Sequence, residues 1–237
     1  MNSIAIVTGS SGGIGSEVCR QLLHDGFVVV GVDRVPSEFT NVIWEMRDVP
    51  PDGTFPTFDY GRVEVIVHCA ATQPTEMLVE TSREQWLEAI KVNVLALDHL
   101  VKEYFEDLSA SRGTILAVSS VHAFETSSRM SAYAASKAAL NSWVRSAAIE
   151  LGPDVFTAGI ALGAIDTPKL REGLERWSPT ERKAKLQQLI DRTPVGRLGF
   201  AAEIAGWVSF LASGSARFSS GSVIRIDGGV SARLSSE

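Results

Sequence analysis

The chain has 237 residues, 45% of them apolar and 21% charged, which excludes wholesale disorder and fits one large α/β domain or two small ones. Acidic side chains outnumber basic ones by 28 to 22, so neither a nucleic-acid surface nor an anionic-membrane surface is expected. Cys19 and Cys69 are too few for a disulfide scaffold or a four-ligand zinc site. The opening residues lack the basic and apolar regions of a secretory signal, and every apolar run falls short of the ~20 residues that span a bilayer. A reducing, cytoplasmic setting is the expectation.

Ile4–Val7 reads as a buried strand, short, β-branched and apolar on both faces. It runs into Thr8-Gly9-Ser10-Ser11-Gly12-Gly13-Ile14-Gly15, and a helical pattern over Gly15–His24 follows at once. Glycines there let backbone N–H groups approach a pyrophosphate, and a helix N-terminus favours its charge. The spacing departs from the strict G-x-G-x-x-G fingerprint, but its place between strand and helix suits a dinucleotide. The second strand, Val28–Val32, ends at Asp33, 18 residues beyond Gly15 and close to the ~20 expected of an acid that accepts from the adenosine ribose. A carboxylate there would repel a 2′-phosphate, whereas Arg34 could pair with one. The strand-end position of Asp33 favours NAD over NADP.

Asn41–Met46 is a weaker strand, and Pro36, Pro50, Pro51, Gly53 and Pro56 leave little room for helix before Val63. The crossovers there should be loops or single turns. Val63–Cys69 continues the strands. A helix over Thr81–Leu108 is expected, with Thr81 and Glu84 at capping-box spacing and Trp86, Ile90, Val94, Leu97, Val101 and Phe105 recurring every three or four residues. Strand Thr114–Val118 leads to Ser119-Ser120. The alanine-rich helix Ala132–Leu151 stops at Gly152-Pro153, and Thr157–Ala161, Ala201–Ala212 and Ser222–Ile226 supply a strand, a helix and a last strand. This alternation implies a doubly wound α/β fold, a parallel sheet of about seven strands with helices on both faces and ligands held beyond the carboxyl ends of the strands.

Tyr133 and Lys137, four apart, project from one helix face. A phenol titrates near 10, and a nearby ammonium favours the phenolate; reaching neutrality would take roughly 4 kcal/mol. A bound nicotinamide's charge in a dry site would have to contribute. Ser119 or Ser120, at the strand end, could hydrogen-bond a carbonyl that the tyrosine protonates, or could be a plain turn residue.

With these motifs assembled, the chain resembles the classical short-chain dehydrogenase/reductases over nearly its whole length. Thr8 to Gly15 match the family's T-G-x-x-x-G-x-G, Tyr133 and Lys137 its Y-x-x-x-K, and Gly196-Arg-Leu-Gly, Glu203-Ile-Ala, Phe210-Leu-Ala-Ser and Asp227-Gly-Gly its C-terminal run. The resemblance implies a single Rossmann domain over residues 1–237 with a substrate lid at about 168–195. It implies hydride transfer between NAD(P) and a small alcohol or ketone, with Ser120, Tyr133 and Lys137 catalytic. Asn93 would hold a relay water behind the lysine. Gly9, Ser11, Gly12, Gly13, Ile14, Gly15, Asp33, Asp48, Val49, Ala70, Ala71, Tyr133, Lys137, Ile165 and Thr167 would hold the coenzyme. A homotetramer or dimer is implied, with the Ala132–Leu151 helix and the C-terminal segment at interfaces. No metal is expected, since His24, His68, His99 and His122 show no clustered spacing.

Two departures stand out. The family's Asn-Asn-Ala-Gly is His68-Cys69-Ala70-Ala71, and its Pro-Gly is Leu162-Gly163. By resemblance the substrate would meet Gln73-Pro74, Val121–Phe124, Arg129, Gly163 and the lid, where His122 could contact it and Trp177 could cover it. The lid's seven basic and four acidic residues fit a solvated helix pair better than an anionic substrate. Two alternatives remain, a 3-oxoacyl carrier-protein reductase within the family and a non-catalytic dinucleotide-binding regulator. Retention of Asn93, Ser120, Tyr133 and Lys137 together opposes the regulator. Extended epimerases need a further substrate domain, for which too little chain follows Gly229.

Overall fold

The structure is a computed structural model that describes residues 2–48, 50 and 55–232. Seven parallel strands form its main sheet: β1 (Asn2–Thr8), β2 (Val28–Asp33), β3 (Thr40–Ile43), β4 (Gly61–His68), β5 (Thr114–Ser120), β6 (Phe156–Leu162) and β9 (Val223–Ile226). Their order is β3-β2-β1-β4-β5-β6-β9. The chain winds outward from β1 to β3 and then returns to place β4 on the other side of β1. Strand order therefore reverses between β1 and β4, and the crevice beyond their carboxyl ends is where such sheets hold ligands. A two-residue pair, β7 (Ile165–Asp166) with β8 (Gly199–Phe200), stands apart.

Both faces of the sheet are covered, which is why its strands read as continuous apolar runs. Ile4 and Ile6 of β1 join Val30, Ile66, Leu97, Leu100, Leu140 and Val144 on one face. Ala5 and Val7 join Val18, Leu22, Leu116, Phe156, Ile204 and Val208 on the other. The first face carries α3 (Ala96–Glu103) and α5 (Ser131–Leu151), and the second α1 (Gly13–His24) and α8 (Ala201–Ala212). Among the described residues no helix is long and apolar enough to cross a membrane.

The single helix expected over Thr81–Leu108 is three: α2 (Arg83–Ile90), α3 and α4 (Phe105–Ser111). Between α2 and α3 the residues Lys91–Leu95 widen into a π turn, with Ala96 N–H bonded to the Lys91 carbonyl. The capping box also moves by one residue. Ser82 caps, taking the Gln85 N–H while its own N–H donates to the Gln85 side chain at 2.9 Å. The Thr81 hydroxyl is spent on the Met77 carbonyl instead, at 2.9 Å.

No helix joins β2 to β3; residues 34–39 suffice. Strand β3 is shorter than expected, ending at Ile43, and Trp44 turns inward. The Phe55 ring meets Trp44 edge-on at 5.1 Å, and Tyr104 packs against Phe55 at 6.4 Å. These rings lie with Val42, Leu97 and Val101, so aromatic packing seals a margin that a crossover helix would otherwise cover.

The last segment before β8 is helical, α6 (Pro168–Glu175) and α7 (Pro179–Arg192). Pro168 and Pro179 each sit in a first turn, where a missing N–H costs nothing, and Thr167 and Ser178 cap them.

Candidate active site

The glycine turn closes directly on the reversal point. Gly9 has φ +70°, and a Cβ there would lie 2.7 Å from the Ala70 N–H. A Cβ at Gly15 would run into the Gly9 carbonyl. The turn and the end of β4 are thus in backbone contact, which only glycine permits. Gly12 is the N-cap of α1 and no side chain caps that helix, so its first N–H groups are available to an anion. Ile14, in the helix's first turn, packs against the apolar cluster beneath.

Asp33 stands at the end of β2 and accepts from the Ser11 N–H at 3.0 Å and the Val35 N–H at 3.1 Å. The Ser11 hydroxyl bonds the Val35 carbonyl at 2.6 Å and Thr40 at 2.9 Å, tying the turn to the short β2–β3 loop. The Arg34 guanidinium lies 3.8 Å from Glu45. Asp48 is exposed, with its carbonyl taking the Trp44 indole N–H at 3.1 Å. Val49, expected beside an adenine, lies outside the described residues. The crowding of the turn, the uncapped helix and the acid at the end of β2 fit a dinucleotide.

On the other side of the crevice, α5 presents Tyr133 and Lys137. Burial raises the pKa of the Tyr133 phenol, and a hydrogen bond with Ser120 opposes that rise. Lys137 is 2% exposed; its ammonium donates to the Val118 carbonyl at 2.8 Å and lies 5.9 Å from the Tyr133 ring centroid. Burial, helped by the charge of Lys169, pushes its pKa down to about 7. Without coenzyme the phenol's pKa is thus raised, and the acidification expected of the lysine does not outweigh desolvation. Desolvation dominates both groups.

Ser119 and Ser120 separate cleanly. The Ser119 hydroxyl is buried and donates to Asn141 at 2.6 Å, whereas Ser120 joins Tyr133 and takes the His122 N–H at 3.2 Å. The His122 ring stands edge-on to Tyr133 at 5.9 Å, its Nδ1 3.1 Å from the Thr126 hydroxyl, and burial lowers its pKa.

Asn93 is carried inward by the π turn, a device frequent at functional sites. Its Oδ1 accepts from the Thr72 N–H at 2.8 Å, and its Nδ2 donates to the Thr72 carbonyl at 3.0 Å and to the Ser136 hydroxyl at 2.8 Å. Ser136 in turn donates to the Tyr133 carbonyl at 2.7 Å. Both amide donors are committed to protein, leaving one Oδ1 lone pair for a water. Ser136, which sequence reasoning passes over, is wholly buried one turn behind Tyr133.

His68, where the family has asparagine, is fully buried. Its Nε2 lies 3.1 Å from the Val92 carbonyl, which can only accept, so Nε2 carries the proton. Nδ1 then accepts from the Thr8 hydroxyl at 2.8 Å, and Thr8 accepts from the Ala70 N–H at 3.1 Å. The imidazole therefore knits β1, β4 and the π turn. Burial and the charge of Lys137 lower its pKa from 6.5 to about 3. Between those values the unfolded chain takes up a proton that the folded protein refuses, so stability falls as pH drops, by about 1.4 kcal/mol per pH unit. His68→Asn is expected to flatten that part of the pH dependence, measured as urea midpoints between pH 6.5 and 4. An unchanged slope would contradict a neutral buried imidazole. Cys69 is only half-buried, but desolvation pushes its thiol well up, so it offers no thiolate.

Thr167 and Pro168 begin α6 directly against the glycine turn; a Cβ at Gly13 would lie 2.9 Å from Pro168 and 3.1 Å from Thr167. Ile165 anchors that approach by pairing with Gly199. Lys169 reaches across to the Ala71 carbonyl at 2.7 Å. Farther out, Arg176 donates to the Thr75 hydroxyl at 3.2 Å and Arg129 to the Thr75 carbonyl at 3.1 Å. Trp177 lies beneath the Lys185 ammonium at 4.0 Å. No cluster of three His, Cys, Asp or Glu suited to a metal occurs among the described residues.

Comparison with known proteins agrees with this geometry. The family model described as enoyl-(acyl carrier protein) reductase matches residues 57–231. A 3-oxoacyl-[acyl-carrier-protein] reductase from Pseudomonas aeruginosa is 29% identical over 96% of both chains. Among solved structures, ligand-free aldohexose dehydrogenase from Thermoplasma acidophilum superposes with a TM-score of 0.88 at 25% identity, covering 99% of this chain and 96% of that one. L-Sorbose reductase from Gluconobacter frateurii, complexed with NADPH and L-sorbose, gives 0.86 at 25% identity over 98% of both. With the doubly wound sheet, the glycine turn at its reversal point and the serine–tyrosine pair beside a buried lysine, these matches establish that the chain belongs to the short-chain dehydrogenase/reductase family, NAD(P)-dependent oxidoreductases of alcohols and ketones.

Proposed function

We propose that the protein interconverts a small secondary alcohol and its ketone with NAD as the preferred coenzyme, using Tyr133 as the proton carrier. The observation that carries this reading is the meeting of Ser120 and Tyr133 at the carboxyl end of β5, with Lys137 one turn below. NAD(P), when bound, supplies the nicotinamide carbon that takes or gives hydride. In the oxidation direction Tyr133 removes the hydroxyl proton while Ser120 orients the oxygen. Lys137, which does not outweigh desolvation of the phenol in the ligand-free protein, acts once the coenzyme's charges are in place. Asn93 fixes α5 behind Tyr133 through Ser136, with Oδ1 open to a relay water. The glycine turn, Asp33, Asp48, Val49, Ala70, Ala71, Ile165 and Thr167 form the coenzyme site. Residues of about 168–195 act as a lid on a single domain.

The preference for NAD rests on the Asp33 carboxylate, held beside the turn, and on the Arg34–Glu45 pairing that occupies the nearest guanidinium. Asp33→Ser is expected to raise kcat/KM with NADP relative to NAD by about tenfold or more, one charge–phosphate repulsion removed. A wild-type preference for NADP would overturn the assignment. A 3-oxoacyl carrier-protein reductase is the second reading, favoured by similarity to the Pseudomonas enzyme and opposed by Asp33. Absorbance at the NADH band with a panel of sugars, hydroxy acids, steroids and acyl ketones decides between them, and silence across the whole panel would favour a regulator.

We place the enzyme in the cytoplasm, which the free thiols Cys19 and Cys69 suit. A homotetramer or dimer is supported by the exposure of Trp207, Phe210 and Phe218 near the C-terminal edge and of Ile149 on α5.

A further inference from the structure

Lys169 does work that neither the glycine turn nor the catalytic residues explain. It lies two residues past Thr167, where α6 begins against Gly13, and its ammonium spans the reversal crevice to the Ala71 carbonyl at the far wall, 2.7 Å away. A lysine on a solvent-facing helix normally extends into water. This one lies across the mouth of the crevice instead, with Arg34 and Lys137, both of the same sign, close enough to act on it. Glu172, on its own helix, opposes them. Arg34 is paired with Glu45 and Lys137 is engaged by the Val118 carbonyl, whereas Lys169 holds only a carbonyl, on a helix seated against the uncapped N-terminus of α1. The single carbonyl satisfies one of the ammonium's three donors.

We infer that Lys169 is a ligand for the pyrophosphate of the dinucleotide, delivered by α6, so that closing of the 168–195 segment and retention of the coenzyme are one event. The inference rests on the dinucleotide reading of the crevice and names a contact that the glycine turn alone does not provide. With coenzyme present, the ammonium exchanges or shares the Ala71 carbonyl for phosphate oxygens, and the charge repulsion among Arg34, Lys137 and Lys169 is relieved. In the ligand-free protein the same lysine holds α6 near the turn through Ala71.

Binding of NADH, followed by its fluorescence and by calorimetry in the absence of substrate, tests this. Lys169→Met is expected to weaken NADH binding at least about tenfold and to reduce its sensitivity to salt, while Lys169→Arg retains most of the affinity. The side chain is exposed, so both variants should keep the wild-type thermal midpoint. A wild-type Kd and salt dependence in Lys169→Met would overturn the inference. So would an unchanged Kd with a raised KM for substrate, which would assign the lysine to the substrate instead. Failure of the wild-type protein to bind NADH or NADPH would overturn the dinucleotide reading itself, a result distinct from either.

Discussion

Tyr133→Phe is expected to lower kcat by about a thousandfold or more in either direction while leaving the Kd for NADH within about twofold. The substitution removes one oxygen from a half-buried ring that stands edge-on to His122, so the helix and the cleft keep their shape. What disappears is the hydroxyl that meets Ser120 and that, on the proposed mechanism, exchanges the proton at the reacting oxygen. The Ser120 hydroxyl, which also takes the His122 N–H, loses one partner, a cost of order 1 kcal/mol in stability. Single-turnover absorbance separates the outcomes. Turnover within tenfold of wild type would remove Tyr133 from the chemistry, and a parallel loss of NADH binding would make the change structural.

Lys137→Met is expected to split activity from stability. A buried ammonium whose pKa is pushed down to about 7 carries an unrecovered desolvation cost near neutral pH. Methionine fills similar space without that cost and gives up one bond to the Val118 carbonyl. The thermal midpoint should stay level or rise, whereas kcat/KM should fall by about 10²–10⁴, because the cation that would favour the phenolate is gone. Thermal melts and steady-state rates on the same preparation check it. A fall in both together would mean that the lysine serves the fold.

The alternation of apolar runs and amphipathic segments made the sheet legible, because a strand buried on both faces must be apolar throughout. The run of prolines after Asp33 was enough to exclude a long crossover helix there. Its replacement by Trp44, Phe55 and Tyr104 was not legible, since Trp44 meets Phe55 across an irregular connection and Tyr104 joins them from a separate helical segment. The division of the Thr81–Leu108 helix into three escaped for a related reason. A π turn leaves the spacing of apolar residues nearly intact, and the only local sign of it is Asn93 set between Val92 and Val94. In the site, Tyr133 and Lys137 were marked by their spacing and Ser120 only by resemblance. Ser136 and Lys169 carry no motif of their own. Their roles arise from neighbours, Asn93 for one and Ala71 for the other, that come from different strands and helices.

A crossover helix spreads its grip on a sheet over several turns, so that losing any one side chain there is tolerated. At the β3 edge the grip is concentrated in Trp44 and Phe55, which are 5% and 7% exposed and touch edge to face. The protein thereby gains a shorter connection at the expense of mutational robustness: the same economy that trims the chain makes the coenzyme-side margin depend on two rings.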